Sequence, residues 1–299
     1  MDSLIDRLQG AVDRFRAFAY AEPDLPEGRP RIGLALSGGF ARGMAHLGVL
    51  RVLQENLIPI DYIAGTSVGA LVAATYAAGV PLEEMERQAS LTRFSDFGKW
   101  TLSWMGLATN ARLEGYLKKF SPVASFEELK MPLAIAATDL RTGESVYFTK
   151  GPLGPALRGS CAYPGLFLPV EHEGHTLVDG FLTAPVPVEA LKKMGAERII
   201  GVHLESGREG ELNSVVDVIG RSFAIIQQHA ESDWRSTADV TIEPDVKSYV
   251  WDDFQRANEV IAAGAAATRL ALPKIRALLA PLARPPQPGR RPAYPAAND

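Results

Sequence analysis

Residues 62–80 read Tyr-Ile-Ala-Gly-Thr-Ser-Val-Gly-Ala-Leu-Val-Ala-Ala-Thr-Tyr-Ala-Ala-Gly-Val. Tyr62 to Ala64 is a short apolar run, Gly65-Thr66-Ser67-Val68-Gly69 punctuates it, and an alanine-rich stretch follows to about Ala78. That order predicts a buried strand, a sharp turn and a buried helix. The turn spells G-x-S-x-G in the context the motif requires, strand before and helix after. Such a turn projects a serine hydroxyl at the sheet edge, and Gly65 and Gly69 lack the Cβ that would block it. Ser67 is therefore the candidate nucleophile. The competing reading, a plain βα turn, explains the glycines but not the serine between them. From Tyr62 to Leu82 the chain carries 21 uncharged residues, about the length of a bilayer span. The glycines and hydroxyls at its start and Pro81 near its end argue for burial in protein instead.

Working outward, strands are predicted at Ile32–Leu36, Pro132–Thr138, Ser145–Thr149, Leu177–Val178, Arg198–Leu204 and Val240–Ile242. Arg141-Thr142-Gly143-Glu144 supplies the turn of a hairpin. Helical periodicity marks Ala41–Glu55, Val188–Met194, Val215–Arg235 and Asp252–Leu279. Strands alternating with helices predict an α/β fold with a mostly parallel central sheet and helices on both faces. Residues 1–30 read as an amphipathic helix and a Pro-rich connector, 31–280 as the catalytic domain, and 281–299, with six prolines, as a disordered tail.

A second glycine-rich turn, Ser37-Gly38-Gly39-Phe40-Ala41-Arg42-Gly43, again separates a strand from a helix. Its backbone N–H groups and the helix dipole suit an anion. A phosphate loop would need Lys and Ser/Thr where Met44 and Ala45 stand. The remaining use is an oxyanion hole for acyl transfer. A serine nucleophile needs a base. None of His46, His172, His175, His203 and His229 stands out as one. Asp179, ending a strand in Leu177-Val178-Asp179-Gly180, is the other candidate.

Composition narrows the class. The 299 residues are 46% hydrophobic and 22% charged, with net charge −4 and one cysteine, Cys161. An intramolecular disulfide is excluded, and no basic run supports a nucleic-acid partner. No metal-ligand cluster or cofactor motif is found. Asp2, Asp6 and Arg7 interrupt any secretory h-region, so a cytoplasmic protein is expected, with peripheral membrane contact and homo-oligomerisation left open.

Gly38-Gly39 with Arg42-Gly43, Gly65 to Gly69, and Asp179-Gly180 together resemble the patatin-like phospholipases, the bacterial branch most closely. Gly33–Leu50, Ala137–Gly143, Ser160–Pro169 and Ala238–Asp245 extend the likeness, in order, over roughly residues 31–265. The resemblance implies a three-layer α/β/α fold and a serine acyl hydrolase of lipid esters. It implies a Ser67–Asp179 dyad without histidine, and no cofactor. It also implies an oxyanion hole from Gly38, Gly39, Phe40 and Gly43, with Arg42 supporting that loop. A non-catalytic lipid- or partner-binding regulator on the same fold is the alternative; it has no need of both Ser67 and Asp179. Two positions depart from the family pattern. Phe40 replaces the third glycine of the loop, where a side chain is expected to require negative φ. Phe181 follows Gly180. Finally, Trp100 and Trp104, four apart and followed by Met105, are expected to share a helical face and gate an acyl site.

Overall fold

The computed structural model describes residues 28–281, apart from 97, 102, 104, 120–121, 206–214 and 251. The expected N-terminal helix and nearly all of the Pro-rich tail lie outside the described residues. A compact unit runs Arg31–Leu278.

Its centre is an eight-stranded sheet. The strands of its main path are β1 (Ile32–Leu36), β2 (Tyr62–Thr66), β5 (Leu133–Asp139), β7 (Val170–His172), β8 (His175–Asp179), β9 (Arg198–Val202) and β10 (Val240–Ile242), and β6 (Ser145–Phe148) pairs with β5. The order is β10-β9-β1-β2-β5-β8-β7. β10, β9, β1, β2 and β5 are parallel, while β6 and β8 run antiparallel to β5 and β7 antiparallel to β8. β1 and β5 are buried along their whole length, as their continuous apolar runs require of strands covered on both faces. Two short strands, β3 (Lys99–Trp100) and β4 (Ala108–Thr109), form a separate hairpin.

The helices are α1 (Ala45–Glu55), α2 (Val68–Ala77), α3 (Leu82–Ala89), α4 (Arg112–Lys118), α5 (Leu153–Ser160), α6 (Val188–Met194), α7 (Val215–Thr237) and α8 (Ala257–Leu278). α6 and Trp234 of α7 pack over Ala35, Ala64 and Ala134 on one face of the sheet. α1, α2 and α8 supply the opposite layer. The result is the mostly parallel α/β/α architecture expected from the alternation.

The register around β5 places the site. Ile63 N–H donates to the Pro132 carbonyl and Leu140 N–H to Thr176, whereas Asp139 N–H donates to Glu144 of the hairpin. Even-numbered residues of β5 thus face both β2 and β8, and odd-numbered ones face β6. β2 lies along the first half of one edge, with Thr66 opposite Ala136. β8 lies along the second half of that same edge, with Asp179 opposite Ala137. The two strands run toward each other and end side by side, Thr66 against Asp179. Asp179 therefore ends an antiparallel strand, yet it lies at the carboxyl edge of the parallel ones, beside the end of β2.

Candidate active site

The turn after β2 holds Ser67 at φ 55° and ψ −124°. For a residue with a side chain that backbone costs of order 1–3 kcal/mol, and neighbours must enforce it. Three do. A Cβ at Gly69 would strike the carbonyl oxygens of Leu36 and Ser37, so glycine there lets α2 start directly against β1. Ser67 N–H donates to Ser160 Oγ at 2.8 Å. Ser160 Oγ in turn donates to the Ala136 carbonyl of β5 at 2.6 Å. Ser160 is fully buried at the end of α5. Its position, 93 residues from Ser67, carries no motif of its own beyond lying in the stretch Ser160–Pro169.

Ser67 Oγ donates to Asp179 Oδ2 at 2.7 Å. The other carboxylate oxygen, Oδ1, accepts from the Phe181 N–H at 2.9 Å. Asp179 is 1% exposed. Burial pushes its carboxyl up to about 7, against the smaller downward pull of the Phe181 and Ser67 hydrogen bonds. A carboxylate with that proton affinity is suited to general-base work near neutral pH.

The glycine loop stands over this pair. A Cβ at Gly38 would lie 3.3 Å from Ser67 Cβ and 3.1 Å from the Phe181 ring. Ser37, which starts the loop, is tied on three sides. Its N–H donates to Val202 O at 3.1 Å, its Oγ accepts from Leu204 N–H at 3.1 Å, and its carbonyl lies 2.8 Å from His46 Nε2. A carbonyl only accepts, so Nε2 carries the proton, and burial holds the His46 ring neutral with a pKa of about 4. Arg42 Nε donates to the Gly39 carbonyl at 3.4 Å. A Cβ at Gly43 would collide with Val68, the residue that follows the serine.

Phe40 corrects an expectation. Its φ is 51°, not negative. Its ring is the reason it can stay there: it packs edge-on against Tyr163 with centroids 5.1 Å apart, and joins a cluster with Leu166, Phe167 and Phe181. Packing holds a backbone that a phenylalanine does not choose.

The expected gate is also corrected. Trp100 ends the two-residue strand β3 rather than sitting on a helix, Trp104 lies outside the described residues, and Trp100 and Met105 are each 64% exposed. Neither Trp100 nor Met105 lines the cavity that opens at Ser67. The hairpin is built by pairing with Thr109 and by Ala108 bridging to Phe167, so a spacing of four does not make a helical face there. The cavity wall comes instead from α1 to α4, through side chains such as Leu47, Leu71, Val72, Met85 and Leu113. Cys161 also lines it, and burial beside Asp179 keeps its thiol protonated.

Among the described residues no histidine is hydrogen-bonded to Ser67, which bonds to the Ser160 and Asp179 side chains. His175 Nδ1 is 2.9 Å from Asp139, and His203 packs on Trp234 beside Arg235 and Glu243. The side chain of His229 lies outside the described residues. Among the described residues there is no metal-binding cluster and no helix long and apolar enough to cross a membrane.

Residues 34–192 match the family model for patatin-like phospholipases. An uncharacterised NTE family protein of Mycobacterium tuberculosis is 35% identical over 187 residues, 60% of this chain and 51% of that protein. Lysophospholipase NTE1 of Mycosarcoma maydis is 30% identical over 224 residues, 72% of this chain and 12% of that one. The chain thus spans about half the length, or less, of these curated relatives. VipD from Legionella pneumophila shares the fold, with a TM-score of 0.50 at 13% identity over 85% of this chain and 68% of that one. With a family match over more than half its length, laid on the strand–elbow–helix unit described above, the chain belongs to the patatin-like phospholipase family.

Proposed function

We propose that the protein is a serine acyl hydrolase that cleaves carboxylic esters of lipids, phospholipids or lysophospholipids, with Ser67 as nucleophile and Asp179 as base. The observation that carries this reading is the 2.7 Å hydrogen bond from Ser67 Oγ to a fully buried carboxylate, with Ser67 in the wall of an apolar cavity. A serine hydroxyl is a weak nucleophile until a positioned base takes its proton. As Ser67 Oγ attacks the acyl carbonyl, Asp179 accepts that proton. The tetrahedral intermediate places its negative oxygen under the loop of Gly38, Gly39 and Phe40. Arg42 and Gly43 keep that loop seated. Each well-placed backbone donor lowers the barrier by roughly 3 kcal/mol. The Ser67 amide itself is committed to Ser160 and points away from this role.

Collapse of the intermediate breaks the ester bond, and Asp179 returns the proton to the departing alcohol. A water then attacks the acyl-serine, again giving its proton to Asp179, and release of the fatty acid restores the Ser67 hydroxyl. The sequence of steps needs no redox change and no group beyond water.

The test is labelling with a serine-reactive fluorophosphonate, followed by peptide mass spectrometry. Ser67 should carry the label, and Ser67→Ala should abolish both labelling and hydrolysis of a short-chain p-nitrophenyl ester. Hydrolysis that persists in Ser67→Ala would exclude the assignment.

A further inference from the structure

Three successive carbonyls of the glycine loop are tied back into the protein. Ser37 O accepts from His46 Nε2 at 2.8 Å, Gly38 O from Ser37 Oγ at 3.1 Å, and Gly39 O from Arg42 Nε at 3.4 Å. Across a trans peptide the carbonyl and the N–H that follows it point in opposite directions, and no described peptide bond is cis. Tying Ser37 O toward α1 therefore turns the Gly38 N–H away from α1. Gly38 is buried, and its N–H finds no acceptor among the described residues. Buried amides without a partner are rare, so this one is available to a group that arrives from outside. It stands beside the nucleophile, since a Cβ at Gly38 would lie 3.3 Å from Ser67 Cβ.

Gly38 does not fix that orientation by itself. Without a Cβ, a glycine lets its peptide plane turn over at little steric cost. The plane is set from α1. His46 is the second residue of α1 and is fully buried. α1 is seated by direct backbone contact with α8: a Cβ at Gly48 would strike Ile261 O, and one at Gly264 would strike Ala45 O. Burial keeps the His46 ring neutral, so Nε2 holds its proton through the range in which Asp179 titrates. Nδ1 is buried and has no partner. A ring buried with one nitrogen unsatisfied costs the fold stability, and an apolar side chain would avoid that cost. What histidine supplies here and an apolar residue does not is the donor to Ser37 O.

We propose that His46 is a positioning residue for the hydrolysis: its Nε2–H holds the Ser37–Gly38 peptide in the orientation that presents the Gly38 N–H to the negative oxygen of the tetrahedral intermediate. His46 acts through that peptide and transfers no proton. The charge on the oxygen develops only on the way to the intermediate, so an aimed N–H acts on kcat rather than on substrate binding. The inference rests on the hydrolase reading and adds to it the residue that aims one donor.

The experiment measures kcat and KM of the full chain for a butyryl p-nitrophenyl ester, beside thermal melts and fluorophosphonate labelling of Ser67. His46→Leu removes the donor and the unsatisfied nitrogen together, so its melting temperature should stay close to that of the wild type. Its kcat should fall roughly 10- to 100-fold, with KM within about twofold, because the donor is misaimed rather than deleted. An octyl trifluoromethyl ketone takes Ser67 Oγ onto its carbonyl carbon and passes the Ser67 proton to Asp179, leaving an alkoxide under the loop. Its inhibition constant should rise in His46→Leu by about the factor by which kcat falls. His46→Gln, whose amide nitrogen reaches about as far as Nε2, should recover most of kcat, and the shorter His46→Asn should not. That pair decides the matter if His46→Leu fails to fold. Wild-type kcat in His46→Leu, an unchanged inhibition constant, or glutamine no better than asparagine per folded molecule overturns the inference. Labelled Ser67 and butyryl hydrolysis in the wild type then leave the hydrolase reading standing. Loss of labelling and of ester hydrolysis in the wild type overturns both.

Discussion

Ser160 holds the backbone of Ser67: its Oγ accepts the Ser67 N–H at 2.8 Å and donates to the Ala136 carbonyl at 2.6 Å, joining α5 and β5 to the elbow through one hydroxyl. The elbow's φ of 55° is thus fixed by a residue from a distant helix. Ser160→Ala should leave a buried N–H without its partner, at about 1–3 kcal/mol of stability. Because small misplacements of a nucleophile are expensive, kcat should fall by about 10- to 100-fold. KM for a short ester should stay within about twofold, and Ser160→Thr, which keeps the hydroxyl, should recover most of kcat. A variant with lower melting temperature but wild-type kcat would reduce Ser160 to a packing residue.

Strain at the nucleophile gives a second expectation. Ser67→Gly and Ser67→Ala should both be inactive, but only glycine adopts φ 55° without cost. Ser67→Gly should therefore melt above Ser67→Ala, by the equivalent of about 1 kcal/mol. Thermal denaturation of the two variants side by side reads the difference. An elbow that is not strained would give the reverse order.

Asp179 links activity and stability to pH. Its carboxyl titrates near 7 in the folded protein and near 4 in an unfolded chain. The dyad needs the ionised form, so kcat/KM should rise with pH through about 7. Stability moves the other way. The folded state holds the proton more tightly, so this group's contribution is full below about pH 4 and is lost as pH rises through 7. Asp179→Asn should abolish hydrolysis, match the wild type in melting temperature near pH 4, and exceed it by several degrees at pH 8. A pH–rate profile flat from 5 to 9 contradicts the assignment of Asp179 as base.

A histidine-free dyad is separable from a triad. His175 pairs with Asp139 and His203 packs on Trp234, and neither is hydrogen-bonded to Ser67. His175→Ala, His203→Ala and His229→Ala should each keep kcat within about tenfold of wild type once normalised to folded protein, whereas loss of a triad histidine costs several orders of magnitude. A fall of that size in any of the three identifies a proton acceptor other than Asp179.

Phe40 offers the last test. Its ring packs on Tyr163, and its backbone is left-handed at φ 51°. Phe40→Ala loses the packing and keeps the strain; Phe40→Gly loses the packing and relieves it. Both should be less stable than wild type, with glycine above alanine by about 1 kcal/mol in urea denaturation. Equal midpoints would show that the loop relaxes to negative φ once the ring is gone.

What was legible in the sequence was local. Ile32–Leu36, Val188–Met194 and Val240–Ile242 carry their bounds in their own residues, because continuous apolar runs or a helical stripe ended by polar or glycine neighbours define them. Helices α3, α4 and α5 carry no such local signal. α3 is mostly charged and polar, and α5 contains Gly154, Pro155 and Gly159, residues that ordinarily argue against a helix. Pro155 is tolerated in the first turn, where its missing N–H would have had no intrahelical partner. Their helicity comes from packing rather than from propensity.

By itself, then, the sequence determined the strand–elbow–helix units and the two glycine turns, since those depend on residues within a few positions of one another. Only the tertiary structure decided which base meets Ser67. The parity of β5 puts β2 and β8 end to end on one edge, and that brings Asp179 across 112 residues to 2.7 Å. It decided the Ser160 clamp and the left-handed Phe40 for the same reason: each is held by contacts far away in the chain, and no local pattern encodes a contact whose partner lies beyond its reach.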